Sequence, residues 1–419
     1  MSKNMDVAVA GNKASHAYST SIEVPTPNRP RPTDTAYGVC GPASREHAAP
    51  THAEICQLPG PQRIAWVNAV QVAYPRAEKI LQKLEYYLAR SMSNVAEPPC
   101  MLLAGRLGAG KSTITELLLA NYPDERAAPT PQRPVAVAQR TVLRAILPIS
   151  PNERDLPFCL LRAFGDPRAN KGSAKELTWR LYDYIHDSGT RMVIVDELQH
   201  LIEANTLTIL QSASDWLKNL AKQTGVSLVL VGLQGVSNMI LEANEQLSSL
   251  FSDPITLDPF SWSDLSPKER GKPRDQWLVD GTREEFRRVL AQIERLLPLR
   301  EASNLSDVGM AQRCYVASGG LMRYLMRLVR EAACLALLRG QERLTQALLF
   351  EAFEQHVGGH YRSIANPFAP GTRLPEPVPL PPLPNYSLGR THWGGALRIL
   401  TSPSTTEAGD VSLRDYFSK

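Results

Sequence analysis

Gly105-Arg-Leu-Gly-Ala-Gly-Lys-Ser112 sets three glycines, a lysine and a hydroxyl in the order GxxxxGK[ST]. Glycines let a backbone curl until several N–H groups point inward at phosphate oxygens. Lys111 then reaches the β and γ oxygens, and the Ser112 hydroxyl can ligate magnesium. A helix opening directly after the loop adds its positive end to the same anion. About 85 residues further on, Arg191-Met-Val-Ile-Val-Asp-Glu197 runs four apolar residues into two carboxylates. Asp196, at the end of such a strand, can hold the metal through water, and Glu197 can polarise a water for attack on a γ-phosphate. Tandem acids point to hydrolysis rather than to a kinase metal site, where the second acid is often missing. A third element, Ser318-Gly-Gly-Leu-Met-Arg323, sets an arginine at a helix start. Such a guanidinium can swing onto a γ-phosphate and report nucleotide state by domain closure.

These residues need a scaffold, and the apolar pattern supplies one. Cys100–Ala104, Met192–Val195 and Val226–Gly232 are short apolar runs without alternation, and Val135–Ala138 is another. Helical patterns separate them at Lys111–Asn121, Phe158–Phe164, Glu176–His186 and Leu207–Gln223. Ile64–Ser91 leads them, with Ile80, Leu81, Leu84, Tyr87 and Leu88 on one stripe. Buried strands between helices predict an α/β fold, a parallel sheet covered on both faces. After Phe260 a polar stretch leads into helices only, near 282–297, 307–317, 321–338 and 343–355, which predicts a small all-helical lid. The expected organisation is a proline-rich segment over 1–60 without a core of its own, an ATPase domain over 61–262, the lid over 263–362, and a linker and tail over 363–419.

Composition bounds the rest. The chain has 419 residues, 43% hydrophobic and 21% charged, which excludes collagen-like and wholly disordered classes. Its net charge of +4 is too small to announce nucleic-acid binding, so any DNA contact rests on local placement. Arg154, Arg168, Lys171, Lys175 and Arg180 gather in one stretch and form the candidate basic row. The six cysteines are far apart, with no CxxC pair, and read as reduced core thiols of a soluble cytoplasmic protein. No apolar run approaches the ~20 residues of a membrane span, so no membrane partner is expected. Of 33 prolines, eight precede Ile64 and nine follow Ala365. Pro375–Pro384 is a stiff polyproline spacer, and the tail beyond it, with Trp393, Leu413, Tyr416 and Phe417, is either a partner-docking peptide or a disordered extension.

The P-loop, the Asp-Glu strand, a further buried strand and a helical lid with G-x-x-Arg together resemble the AAA+ ATPases. The finer match is to the TniB/TnsC-type transposition ATPases. It rests on Trp66-Val, Tyr74-Pro-Arg, Asn152-Glu-Arg-Asp-Leu-Pro-Phe, Phe164-Gly-Asp-Pro, Val195-Asp-Glu-Leu-Gln-His-Leu, Leu228-Val-Leu-Val-Gly232 and Gln246-Leu-Ser-Ser-Leu-Phe251, in that order, over about residues 60–360. The resemblance implies ATP and Mg2+ as cofactors. Nucleotide contacts fall to Gly105, Arg106, Leu107, Gly108, Ala109, Gly110, Lys111, Ser112, Thr113, Asp196 and Arg323. Ser112 and Asp196 hold the metal; Glu197, Lys111 and Gln234 are the catalytic candidates. Implied partners are double-stranded DNA (through Arg154, Lys171 and Lys175), a transposase, a TniQ/TnsD-type target selector, and further copies of the chain in an ATP-dependent ring or filament.

Two positions depart from that family. Leu233 stands where a polar residue usually follows the glycine ending the fourth strand, leaving Gln234 as the substitute sensor. Leu250 stands where the arginine donated to a neighbouring subunit is expected, with Arg270 and Arg274 the nearest downstream. Slow turnover follows, because such an arginine is worth ~10³–10⁵ in rate. A replication initiator or helicase loader shares this site but usually appends a winged-helix domain, and only some 55 proline-rich residues follow the lid. A small-molecule kinase is disfavoured by the lid arginine and the Asp-Glu pair.

Overall fold

The structure, a computed structural model, describes residues 50–93, 98–126, 138–149, 151–203, 207–235, 250–251, 254–264, 281–358, 364–378, 380–381, 385–390 and 397–402. The proline-rich start through residue 49, Val135–Val137, Gln246–Ser249, Arg270, Arg274, Trp393, Leu413, Tyr416 and Phe417 lie outside them.

The chain opens with α1 (His52–Gln57), α2 (Gly60–Ala69) and α3 (Pro75–Ser91). The single helix expected from Ile64 is interrupted at residues 70–74. Pro75 explains the break: it lacks an N–H, so it suits the first turn of a helix and disfavours helical backbone in the residue before it. The predicted stripe of α3 is buried throughout.

Five strands form the central sheet: β1 (Met101–Gly105), β4 (Val142–Ile146), β5 (Met192–Asp196), β6 (Ser227–Leu233) and β7 (Ile255–Leu257). Their order is β4-β5-β6-β1-β7 and every pairing is parallel. The remaining short strands β2 (Glu125–Arg126) and β3 (Ala138–Gln139) pair antiparallel apart from it. Ala138 therefore belongs to this small ladder, and the edge strand of the main sheet is Val142–Ile146, a segment the apolar runs did not mark. Arg144 interrupts its apolar pattern, which hid it.

Successive residues of each strand face opposite layers. Met101, Leu103, Ile194, Val229 and Val231 pack into one core with α3 and with α4 (Lys111–Asn121). Leu102, Val193, Val195, Leu228 and Leu230 pack into a second core with α5 (Asp155–Phe164), α6 (Ala174–Ser188) and α8 (Leu207–Thr224), which follows the short α7 (His200–Glu203). Both faces are covered, as a parallel sheet requires. The first core runs without a break into the helical part, α9 (Arg283–Leu296), α10 (Val308–Ser318), α11 (Met322–Leu338) and α12 (Gln346–His356).

Two features fix these helices against the sheet. Arg76 pairs with the buried Glu285 at 3.1 Å and lies over the Phe260 ring, and its Nη1 donates to the Asp258 carbonyl at 2.7 Å. Gly320 is the second. A Cβ there would collide with the Phe260 carbonyl oxygen, and its positive φ of 74° suits glycine alone. Beyond α12, Phe368 is fully buried against Phe353, and the proline-rich strand of chain crosses α10, where Gln312 donates to the Pro375 carbonyl at 2.8 Å. Leu380 packs onto the first core. The spacer expected over 375–384 thus lies on the protein at its start. A hairpin, β8 (Asn385–Arg390) and β9 (Leu397–Ser402), follows.

Candidate functional site

The loop between β1 and α4 carries the phosphate motif. Gly110 caps α4 with a left-handed φ of 107° and no side chain satisfies the first-turn N–H groups. By contrast α6 is closed by a capping box between Ser173 and Glu176. Open N–H groups at a helix start make an anion site. Lys111, only 9% exposed, folds over the loop and donates to the Gly105 and Arg106 carbonyls at 2.8 and 3.0 Å. Burial pulls its pKa down to about 8, against the opposing pull of Asp196 and Glu197, while the Arg323 charge adds to the lowering.

Asp196 meets Ser112 across the strand ends. The Ser112 hydroxyl donates to Asp196 Oδ2 at 3.1 Å, bringing together the two residues expected at the metal. Arg144 Nη2 reaches the same oxygen at 2.6 Å, and its Nη1 meets Glu116 at 3.1 Å. Sequence reasoning missed Arg144, since a lone arginine in a strand carries no motif. Glu197 adopts a positive φ of 60°, a conformation that non-glycine residues hold only when the surroundings enforce it, and such residues cluster at functional sites. Its carboxylate accepts from Gln199 Nε2. Gln199 is 6% exposed and its Oε1 has no partner. Its place two residues past the acid pair was the only signal for it.

A cleft of about 300 Å³ joins these groups. Leu107, Gly108, Gly110, Lys111, Ser112, Thr113, Asp196 and Glu197 line one side, and Met322, Arg323 and Arg330 come from α11. The Arg323 N–H donates to the Gly108 carbonyl at 2.9 Å, so the start of α11 rests on the phosphate loop. Val70–Val72 and Tyr74 close the far end. Gly105, Arg106 and Ala109 shape the loop without lining the cleft: Ala109 is buried, and the Arg106 guanidinium donates to the Pro381 carbonyl. Gln234 does not line it either. Its N–H donates to the Gly105 carbonyl at 3.3 Å, and Leu233 takes the lining position. Leu250 packs, half-buried, against the second core.

The basic row is organised differently. Arg154 donates to the Gly172 carbonyl at 2.9 Å and to the Asn170 carbonyl. Arg180 pairs with Asp166 at 2.9 Å and donates to the Arg168 carbonyl at 2.7 Å. Arg168, Lys171 and Lys175 are exposed around this loop. No group of three or more His, Cys, Asp or Glu suited to a metal occurs among the described residues. No described helix is long and apolar enough to cross a membrane.

Comparison with known proteins bears on this site. Residues 63–262 match the family of bacterial TniB proteins, and that span holds the phosphate loop, Asp196 and Glu197. This stretch is similar to the bacterial TniB proteins. Among solved structures the chain is similar to the ORC2 protein of Aeropyrum pernix in its ADPNP–ADP complexes, at 16% identity over 71% of this chain and 72% of that one, TM-score 0.48. It is also similar to Cdc6p from Pyrobaculum aerophilum, at 17% identity over 69% of each chain, TM-score 0.48. Among curated proteins none matches this sequence. The matched span holds the phosphate-loop motif and the acid pair on the parallel sheet, and Arg323, which also lines the cleft, comes from beyond the family match.

Proposed function

We propose that this protein is an ATP-dependent regulator of DNA transposition, which assembles on target DNA, links target selection to transposase recruitment, and is reset by slow ATP hydrolysis. The observation that carries the nucleotide half is the seating of Arg323 on Gly108, because it puts a lid cation beside the loop that would hold the β and γ phosphates. The similarity of residues 63–262 to the bacterial TniB proteins supports the transposition half.

The chemistry follows from residue placement. Lys111 exchanges two backbone carbonyls for phosphate oxygens when nucleotide enters. Ser112 and Asp196 present hard oxygens within 3.1 Å of each other, a donor pair suited to magnesium and not to a soft metal. That ion, when bound, would neutralise charge on the phosphates. Glu197, held by Gln199, orients and deprotonates the attacking water, and Arg323 balances the charge that develops on the γ-phosphate. Turnover is slow because Leu250 offers no cation to a neighbouring subunit. Exposed Lys171 and Lys175 are the DNA-facing candidates, and Arg154 supports the loop that carries Lys171.

The test combines ATP-binding and ATPase assays with electron microscopy of the full chain, with and without duplex DNA and a non-hydrolysable ATP analogue. Nucleotide-dependent oligomers on DNA are expected. ATP binding without any DNA-dependent assembly would overturn the transposition reading and leave the ATPase intact.

A further inference from the structure

Arg144 is a half-buried cation bound to a cleft residue, Asp196, that no phosphate-binding motif requires. It projects from β4 on the same sheet face as Asp196, since Val142 and Ile194, each two residues before one of the pair, share the first core. Its guanidinium is 16% exposed, divides its two terminal nitrogens between Asp196 and Glu116, and leaves Nε buried without a partner. Asp196 Oδ2 therefore receives the Ser112 hydroxyl and Arg144 together. Serine and aspartate are the pair assigned above to magnesium, so the guanidinium holds an oxygen that the hydrated ion also needs.

We infer that Arg144 is a positioning residue that competes with magnesium for Asp196 and so sets the metal concentration at which nucleotide binds. The inference rests on the P-loop reading. With the ion absent, Arg144 neutralises Asp196 and holds its carboxylate toward Ser112. When the ion arrives, Asp196 turns to its water shell and Arg144 falls back on Glu116, whose side chain is 48% exposed and free to follow. Repulsion between guanidinium and divalent ion remains. A unit charge within roughly 8 Å of a divalent ion, even at the dielectric of bulk water, weakens its binding about fivefold, and more in this buried setting.

The experiment titrates Mg2+ at fixed, fluorescently labelled ATP with the full chain and reads the midpoint. Arg144→Gln should lower that midpoint about fivefold or more, and Arg144→Lys, which keeps the charge, should return it toward the parent value. Glu116→Gln should raise it, because Arg144 then leans on Asp196 alone. That exposed substitution keeps the inference testable should Arg144→Gln fail to fold. An unchanged or raised midpoint in Arg144→Gln, or an unchanged one in Glu116→Gln, would overturn the competition. Absence of ATP binding by the parent protein at any Mg2+ concentration would instead overturn the P-loop reading.

Discussion

The nucleotide loop and the α5–α6 face both gather cations, yet they use them in opposite ways. Around the loop, Lys111 is buried, its pKa is pulled down to about 8 by that burial, and it faces a cleft with open N–H groups. On the α5–α6 face, Arg154 and Arg180 spend their guanidiniums on carbonyls of residues 168–172 and on Asp166. Lys111 also rests on backbone carbonyls, at 2.8 and 3.0 Å, but it lines a cleft where a ligand can replace them. Arg154 and Arg180 line no such cleft and hold their loop in place. Counting cations along the chain does not separate the two; the cavity beside them does.

Substitution at the loop should have the largest effect. Lys111→Ala should lower ATP affinity at least about a hundredfold, the loss of charge-assisted hydrogen bonds to the phosphates, measured by equilibrium binding. Unchanged affinity would erase the contrast. Glu197→Gln should keep ATP bound, because Lys111, Ser112 and Asp196 remain, while hydrolysis falls about a hundredfold or more, as expected for loss of a general base. Normal turnover would remove Glu197 from that role.

A pH series sharpens the same contrast. Phosphate binding needs protonated Lys111, and a lysine with a lowered folded pKa loses its proton as pH rises through that value. ATP affinity should therefore fall about tenfold between pH 7 and 9, where an ordinary lysine would hardly change. The sign for stability is opposite: burial penalises the charged lysine, so deprotonation above pH 8 relieves that cost in the empty protein. The smallest effects belong to the basic face. Arg154→Ala should cost about 1–2 kcal/mol in thermal unfolding through its lost carbonyl contacts. Lys175→Ala should leave stability unchanged and reduce the salt slope of DNA affinity by about one. The reverse pattern, with Arg154 setting the salt slope, would assign the guanidinium to DNA.

The phosphate loop, the Asp196–Glu197 strand end, helix α4 and the four lid helices were legible in the sequence, within three residues at most of their ends. Each is specified locally: glycines set a loop's backbone, an unbroken apolar run marks a strand buried on both faces, and a 3.6-residue stripe marks a helix. Other features depend on residues far apart in the chain. Arg144 and Asp196 are 52 positions apart, Ser112 and Asp196 are 84 apart, and only the alignment of β4, β5 and α4 makes them share one oxygen. Strand β7 has three residues, too few for any period, and becomes a strand because β1 offers it an edge. Leu233, not Gln234, lines the cleft, and it packs with Leu228 and Leu230 on the second core although strand alternation would set it with Val229 and Val231, so the end of β6 is placed by its packing and not by strand period. The fate of Arg154 was fixed by a loop that folds back to meet it. Local backbone preferences determined which elements form; the packing of the sheet edges and the lid decided which charges face one another.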